Sequence, residues 1–158
     1  MENPLVKKIN SKTLIRRISS VETLPLRQSI LRPHLALTGC IHDGDDKPET
    51  RHFGAFLEGR LVGVASLFDQ PFPSSNGSKC WRLRGMAVEE RQQCSGIGGR
   101  LLEACIDEIN ILKGEYLWCY ARISATKFYL RYQFEIAGEE FNFPEVGPVV
   151  LMVKQMVV

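Results

Sequence analysis

The residues best suited to chemistry lie in one run: Arg82-Leu83-Arg84-Gly85-Met86-Ala87-Val88, then Glu89–Ser95, then Gly96-Ile97-Gly98-Gly99-Arg100. Cys80–Val88 reads as a strand. Apolar residues at Ile97, Leu101, Leu102, Cys105, Ile106 and Ile109 predict an amphipathic helix over Gly96–Leu112. A helix start carries backbone N–H groups without partners inside the helix and a partial positive charge, which together make an anion site. Glycines at 96, 98 and 99 remove side chains where a phosphate would touch the backbone. Each such contact is worth roughly 0.3–1 kcal/mol, so several together could hold a pyrophosphate. The run is not the Gly-x-Gly-x-x-Gly fingerprint of a dinucleotide site, and it lacks the Gly-Lys-Ser/Thr of a nucleoside triphosphate loop. Spacing alone leaves two readings open, an anion site or a glycine-rich helix start with no ligand.

Other reactive side chains cluster less clearly. Arg82 and Arg84 share one face of their strand, because residues two apart point the same way. Cations on a central strand are costly unless paired or solvated in a cleft. They read either as recognition of a substrate carboxylate, which suits a bidentate Arg, or as partners of a loop carboxylate such as Asp45 or Glu89. Cys94, near a helix N-terminus where thiol pKa values fall, reads as a reactive thiol or as a steric, unreactive neighbour of the loop. Cys40, Cys80, Cys94, Cys105 and Cys119 are odd in number and show no Cys-x-x-Cys spacing, so no metal site is expected. Cys80, Cys105 and Cys119 sit in apolar segments and read as buried thiols.

The elements that must position these residues form one α/β (α+β) pattern. Thr13–Ser19 alternates as a strand, Val21–Leu31 reads as a helix ended by Arg32-Pro33, and His34–Thr50 is a long irregular stretch of the kind used as a lid or a disordered connector. His52–Leu57 and Leu61–Phe68 are strands joined at Glu58-Gly59-Arg60. Lys113-Gly114 stops the helix that begins at Gly96. Tyr116–Ala121 is a strand, Ser124 can cap a helix running to Tyr132, and Phe134–Gly138 and Val149–Val157 complete the sheet. This order predicts a mixed central sheet of about six to seven strands with helices on both faces, in a single domain over residues 1–158.

Composition bounds the rest. The chain has 158 residues, 44% hydrophobic and 24% charged, with a net charge of +2. That charge is too mild to argue for nucleic acid, and Lys7, Lys8, Lys12, Arg16 and Arg17 read as solvated terminal cations. No apolar run reaches the roughly 20 residues of a membrane span. Met-Glu-Asn-Pro lacks the charged and apolar regions of a signal peptide, so a reducing cytoplasm, without membrane partners, is the expected location.

Gln93-Cys94-Ser95-Gly96-Ile97-Gly98 resembles the Gln/Arg-x-x-Gly-x-Gly/Ala signature of the GNAT superfamily. Gly85-Met86-Ala87-Val88 is similar to the strand that pairs with the cofactor's pantetheine arm. Ala125-Thr126-Lys127-Phe128-Tyr129 resembles the family's Ala-x-x-Phe/Leu-Tyr. The agreement extends over roughly residues 13–156. Leu26-Arg27, Trp81–Met86, Leu117-Trp118-Cys119 and Phe141…Gly147-Pro148 look like a small bacterial subgroup. The chain departs from the pattern at Cys94 and Gln133, where Gly is usual, and at Arg122, where Asn is usual and where Arg could reach a phosphate instead. A backbone N–H at Cys94 still serves, provided φ there is negative.

The resemblance implies the GNAT fold and an acetyl-CoA-dependent N-acetyltransferase with no metal. The amine of a small molecule or amino acid would attack directly while both substrates are bound. Met86, Ala87, Val88, Gln93, Cys94, Ser95, Gly96, Ile97, Gly98, Gly99, Arg100 and Arg122 are implied to hold acetyl-CoA. The Val88 N–H is implied as oxyanion donor and Tyr129 as the acid that protonates the leaving thiolate. A phenol with a pKa of about 10 is protonated at neutral pH and can donate; as a bare residue, Tyr129 is equally a core aromatic. Some members use a Glu near the position of Arg82, so the base here falls to Asp45, Asp46, Glu49, His52 or a water chain. His52 titrates near neutrality, which suits a base, although it reads equally as a satisfied structural histidine. Arg84 and His52 are thus the candidate acceptor-side residues. A homodimer, an acyl-CoA sensor without turnover, and a protein N-terminal or lysine acetyltransferase remain open alternatives.

Overall fold

The computed structural model describes residues 13–157. Lys7, Lys8 and Lys12 lie outside the described residues. Eight strands are described: β1 (Thr13–Arg17), β2 (Arg51–Leu57), β3 (Arg60–Asp69), β4 (Cys80–Val88), β5 (Tyr116–Arg122), β6 (Glu135–Ile136), β7 (Phe141–Phe143) and β8 (Gly147–Gln155). They form one mixed sheet in the order β1-β2-β3-β4-β5-β8-β6, with β7 also on β8. The β4–β5 pairing is parallel, and β1–β2, β2–β3, β5–β8, β6–β8 and β7–β8 are antiparallel. β7 exceeds the expected count. Its three residues are too few to show an alternation in sequence.

Packing divides the chain into two compact units. One runs to Phe68 and includes Gly85–Glu108; the other holds Asp69–Arg84 and the chain from Ile109 onward. In the first unit, β3 is buried continuously from Val62 to Phe68, as expected of a strand covered on both faces. The β2–β3 turn uses Glu58 at φ 50° and Gly59 at φ 80°, the two left-handed residues that suit the twist of a tight hairpin. The first helix, α1 (Ser20–Leu26), opens on a capping box between Ser19 and Glu22. Pro25, which lacks an N–H, sits inside it, and the chain continues as a π-turn, Arg27–Leu31. The second helix, α2 (Ile97–Ile111), buries Ile97, Leu101, Leu102, Cys105 and Ile109 as its spacing predicts. It approaches β3 so closely that a Cβ on Gly63 would lie 3.0 Å from Leu101 Cδ1.

Two local expectations change and one holds. The stretch His34–Thr50 is not a loose connector: Cys40, Asp45 and Thr50 are buried, and Leu37–Cys40 forms a 3-10 turn. α2 stops at Lys113-Gly114 as expected, with Lys113 at φ 59° and the Gly114 N–H donating to the Ile109 carbonyl at 2.9 Å. Ser124 is not the cap of the last helix. It lies in the 3-10 turn Ile123–Ala125, and α3 (Thr126–Leu130) begins after Ala125, with Thr126 Oγ1 donating to the Ile123 carbonyl at 2.9 Å. The second unit buries Leu117, Trp118, Cys119, Phe134, Val149 and Met152.

Candidate active site

In the first unit, β4 ends at Val88 and the chain turns through Glu90–Gln92 into α2. Two contacts fix the strand end. The Glu89 N–H donates to the Val62 carbonyl at 2.8 Å, and Gln93 Nε2 donates to the Val88 carbonyl at 3.0 Å. Glu89 also pairs with Arg60. The helical ladder starts with the Arg100 N–H on the Gly96 carbonyl at 3.1 Å. The N–H groups of Ile97, Gly98 and Gly99 therefore precede that ladder, as in any first helical turn. Ser95 Oγ donates to the Gln92 carbonyl and closes the turn.

Two residues of the turn are left-handed, Cys94 at φ 62° and Gly96 at φ 92°. The expectation of negative φ at Cys94 is overturned. This position, where Gly is usual, is left-handed, and a non-glycine residue there costs roughly 1–2 kcal/mol. Gln133, the other place where Gly is usual, has φ 62°. Cys94 is exposed, and the other four cysteines are buried. Arg100 Nη1 donates to the Thr13 carbonyl at 2.6 Å, so this guanidinium also ties down β1. Met86 and Val88 are partly exposed and Ala87 is buried.

A buried polar network lies in the same unit. Arg27, 1% exposed, donates through Nη1 to Asp45 Oδ2 at 2.6 Å and through Nη2 to Asp45 Oδ1 at 3.0 Å. It also donates to Ser66 Oγ at 3.0 Å and to the Cys40 carbonyl at 3.2 Å. His52 is buried with Nδ1 2.6 Å from Ser66 Oγ and Nε2 2.9 Å from the Asp45 carbonyl. Burial pushes the His52 pKa down, against the pull of the Asp45 carbonyl and carboxylate. Burial alone would raise the Asp45 carboxyl, but Arg27, the His42 N–H and nearby positive charge together hold it below the usual carboxylate range. Gly85, at φ 68° within β4, faces this network: a Cβ there would lie 3.0 Å from Arg27 Nε and 3.4 Å from His42 Nε2. Of the carboxylates suggested as partners of Arg82 and Arg84, Asp45 pairs with Arg27 and Glu89 with Arg60. Sequence reading passed over Arg27 and Ser66. The only signal was the Leu26-Arg27 pair within the subgroup resemblance.

In the second unit, the β4–β5 ladder runs from Cys80↔Tyr116 to Arg82↔Trp118, while β5 continues to Arg122, paired on its other edge to β8. Tyr129 of α3 is buried between the rings of Phe128 and Phe134, with centroids at 5.1 and 5.2 Å. Its hydroxyl donates to the Cys119 sulfur. Burial raises that thiol's pKa to about 12, with Tyr129 and Arg82 acting in the opposite direction. Arg122 is exposed at the end of β5. Arg82 lies over Trp118 and Tyr120, a pairing visible in sequence only as the alternation Tyr116-x-Trp118-x-Tyr120. Among the described residues no group of His, Cys, Asp and Glu could hold a metal ion, and no helix is long and apolar enough to cross a membrane.

The acetyltransferase (GNAT) family model matches residues 18–134, and the chain belongs to this family. It is 29% identical over 142 residues to the uncharacterized N-acetyltransferase YitI of Bacillus subtilis (strain 168), covering 90% of this chain and 95% of that protein. It is 31% identical over 124 residues to spermine/spermidine N(1)-acetyltransferase of the same organism, covering 74% and 78%. In fold it is similar to aminoglycoside 6'-N-acetyltransferase complexed with coenzyme A, with a TM-score of 0.73 at 16% identity over 92% of this chain and 98% of that one. The chain is an acetyl-CoA-dependent acyltransferase.

Proposed function

We propose that this chain transfers an acetyl group from acetyl-CoA directly to the primary amine of a small molecule or amino acid, with both substrates bound together. The observation that carries the donor half is the turn from Val88 to Arg100, whose first-turn N–H groups at Ile97, Gly98 and Gly99 suit a pyrophosphate. The Gln93, Cys94, Ser95 and Gly96 backbone completes that cradle, and Met86–Val88 runs beside the pantetheine arm. The Val88 N–H then stabilises the oxyanion formed when the amine attacks the thioester carbon. Tyr129 gives the leaving thiolate its proton.

The amine must be neutral to attack. Asp45 and His52 are buried within a bonded network, which favours a water chain over either as the immediate base. Intersecting initial-velocity lines are expected when acetyl-CoA and amine are varied, whereas parallel lines would indicate an acetylated enzyme. Tyr129→Phe is expected to keep acetyl-CoA affinity, measured by calorimetry, and to lower kcat at least about tenfold, within the range for a lost general acid. An unchanged kcat removes Tyr129 from the role.

A further inference from the structure

We propose that the acceptor carries a carboxylate and an apolar side group besides its amine, and that Arg82 holds the carboxylate; the inference rests on the N-acetyltransferase reading above. Arg82 is partly exposed, and its guanidinium carbon lies 5.1 Å from the Trp118 ring centroid and 5.2 Å from that of Tyr120. Its Nε is buried with no hydrogen-bond partner. No carboxylate among the described residues pairs with it. Ring faces attract the cation and fix its plane, but they do not satisfy N–H groups that point along that plane. A carboxylate satisfies the Nη groups, which are not buried, with two parallel bonds across the end of the guanidinium fork.

The surroundings supply the rest of the acceptor's chemistry. Tyr120 meets Phe141 at 5.4 Å and Phe143 at 5.8 Å, and Trp118 meets Phe72 at 6.4 Å between centroids. Phe141 is 41% exposed. This row of aromatics beside one cation fits an amino acid with an apolar side chain. A polyamine would meet a cation with no carboxylate beside it. The acceptor proposed here therefore differs from the one in the name of the spermine/spermidine relative.

The test is CoA release from acetyl-CoA by the full chain with L-phenylalanine, L-phenylalaninamide, phenethylamine and spermidine as acceptors. L-Phenylalanine is expected to exceed both carboxylate-free analogues in kcat/KM by about 10–100-fold, the range for hydrogen bonds to a charged group. The amide has the less basic amine, so more of it is neutral, and intrinsic reactivity works against this order. Arg82→Gln is expected to bring the acid-to-amide ratio near one, and Arg82→Lys, which keeps the charge without the fork, to fall between. Acetyl-CoA affinity and the thermal midpoint report whether the variants fold; the wild-type acid-to-amide comparison needs no variant. Equal rates for acid and amide, a preference for spermidine, or an unchanged ratio in folded Arg82→Gln overturns the proposal. Release with spermidine or phenethylamine alone overturns it while leaving the N-acetyltransferase reading intact. Release with no amine at all overturns both.

Discussion

Arg27 and Arg82 both bury an Nε without a hydrogen-bond partner, yet the chain treats the two guanidinium groups differently. Arg27 meets Asp45 through both Nη atoms and adds Ser66 and the Cys40 carbonyl. Arg82 meets the rings of Trp118 and Tyr120. A charge matched from within the chain holds the fold, whereas a charge oriented but unmatched is available to a ligand. The same substitution at both sites separates the two cases. Arg27→Met is expected to lose about 3–5 kcal/mol in urea unfolding, because it leaves the Asp45 carboxylate buried without its counter-charge. Arg82→Met gives up cation–π contacts of about 0.5–2 kcal/mol but also removes an unsatisfied buried donor worth about 1–3 kcal/mol. Its stability should stay within about 1 kcal/mol of wild type, since these terms oppose each other. Equal losses at the two sites would erase the distinction.

The two regions were also unequally legible in sequence. The turn from Val88 to Arg100, the proposed donor site, was legible because its features are local: glycines, a helix start and the strand before it are consecutive residues. Helix α2 followed from periodicity, and the role proposed for Tyr129 rests on one short motif. The backbone at Cys94 did not follow, because residue type argues against a left-handed conformation that the turn nevertheless imposes. The Arg27 network was hidden for a different reason. Its members come from positions 27, 45, 52 and 66, and each alone reads as an ordinary polar residue. The face of Arg82 was half legible. The shared strand face of Arg82 and Arg84 was readable, but the neighbours of Arg82 come from β5, so the rings beside it did not follow from its own strand.

The smallest effect separates the regions by pH. The geometry assigns His52 as neutral: Nε2–H donates to the Asp45 carbonyl, while Ser66 Oγ accepts from Arg27 and donates to Nδ1. A proton on Nδ1 would face an oxygen that already accepts, and would leave the Ser66 hydroxyl hydrogen without an acceptor. Arg27 and Arg17 add positive charge against it, Asp45 opposes them, and Phe68 covers the ring edge at 6.3 Å. Because the folded His52 pKa is depressed, the unfolded chain takes up the proton first. The His52 contribution is complete above the ordinary histidine value of about 6.5 and is lost as pH falls below it. Asp45 is also depressed, so its contribution is lost only below the usual carboxylate range, at more acid pH. Between pH 7 and pH 5 the urea midpoint should therefore fall through His52 while Asp45 stays charged. His52→Gln should begin lower at pH 7, having lost part of the network, and fall less on acidification. Arg82→Met should keep the wild-type slope, since its charge has no link to His52 among the contacts described. A wild-type slope in His52→Gln would place the acid sensitivity outside the Arg27 network.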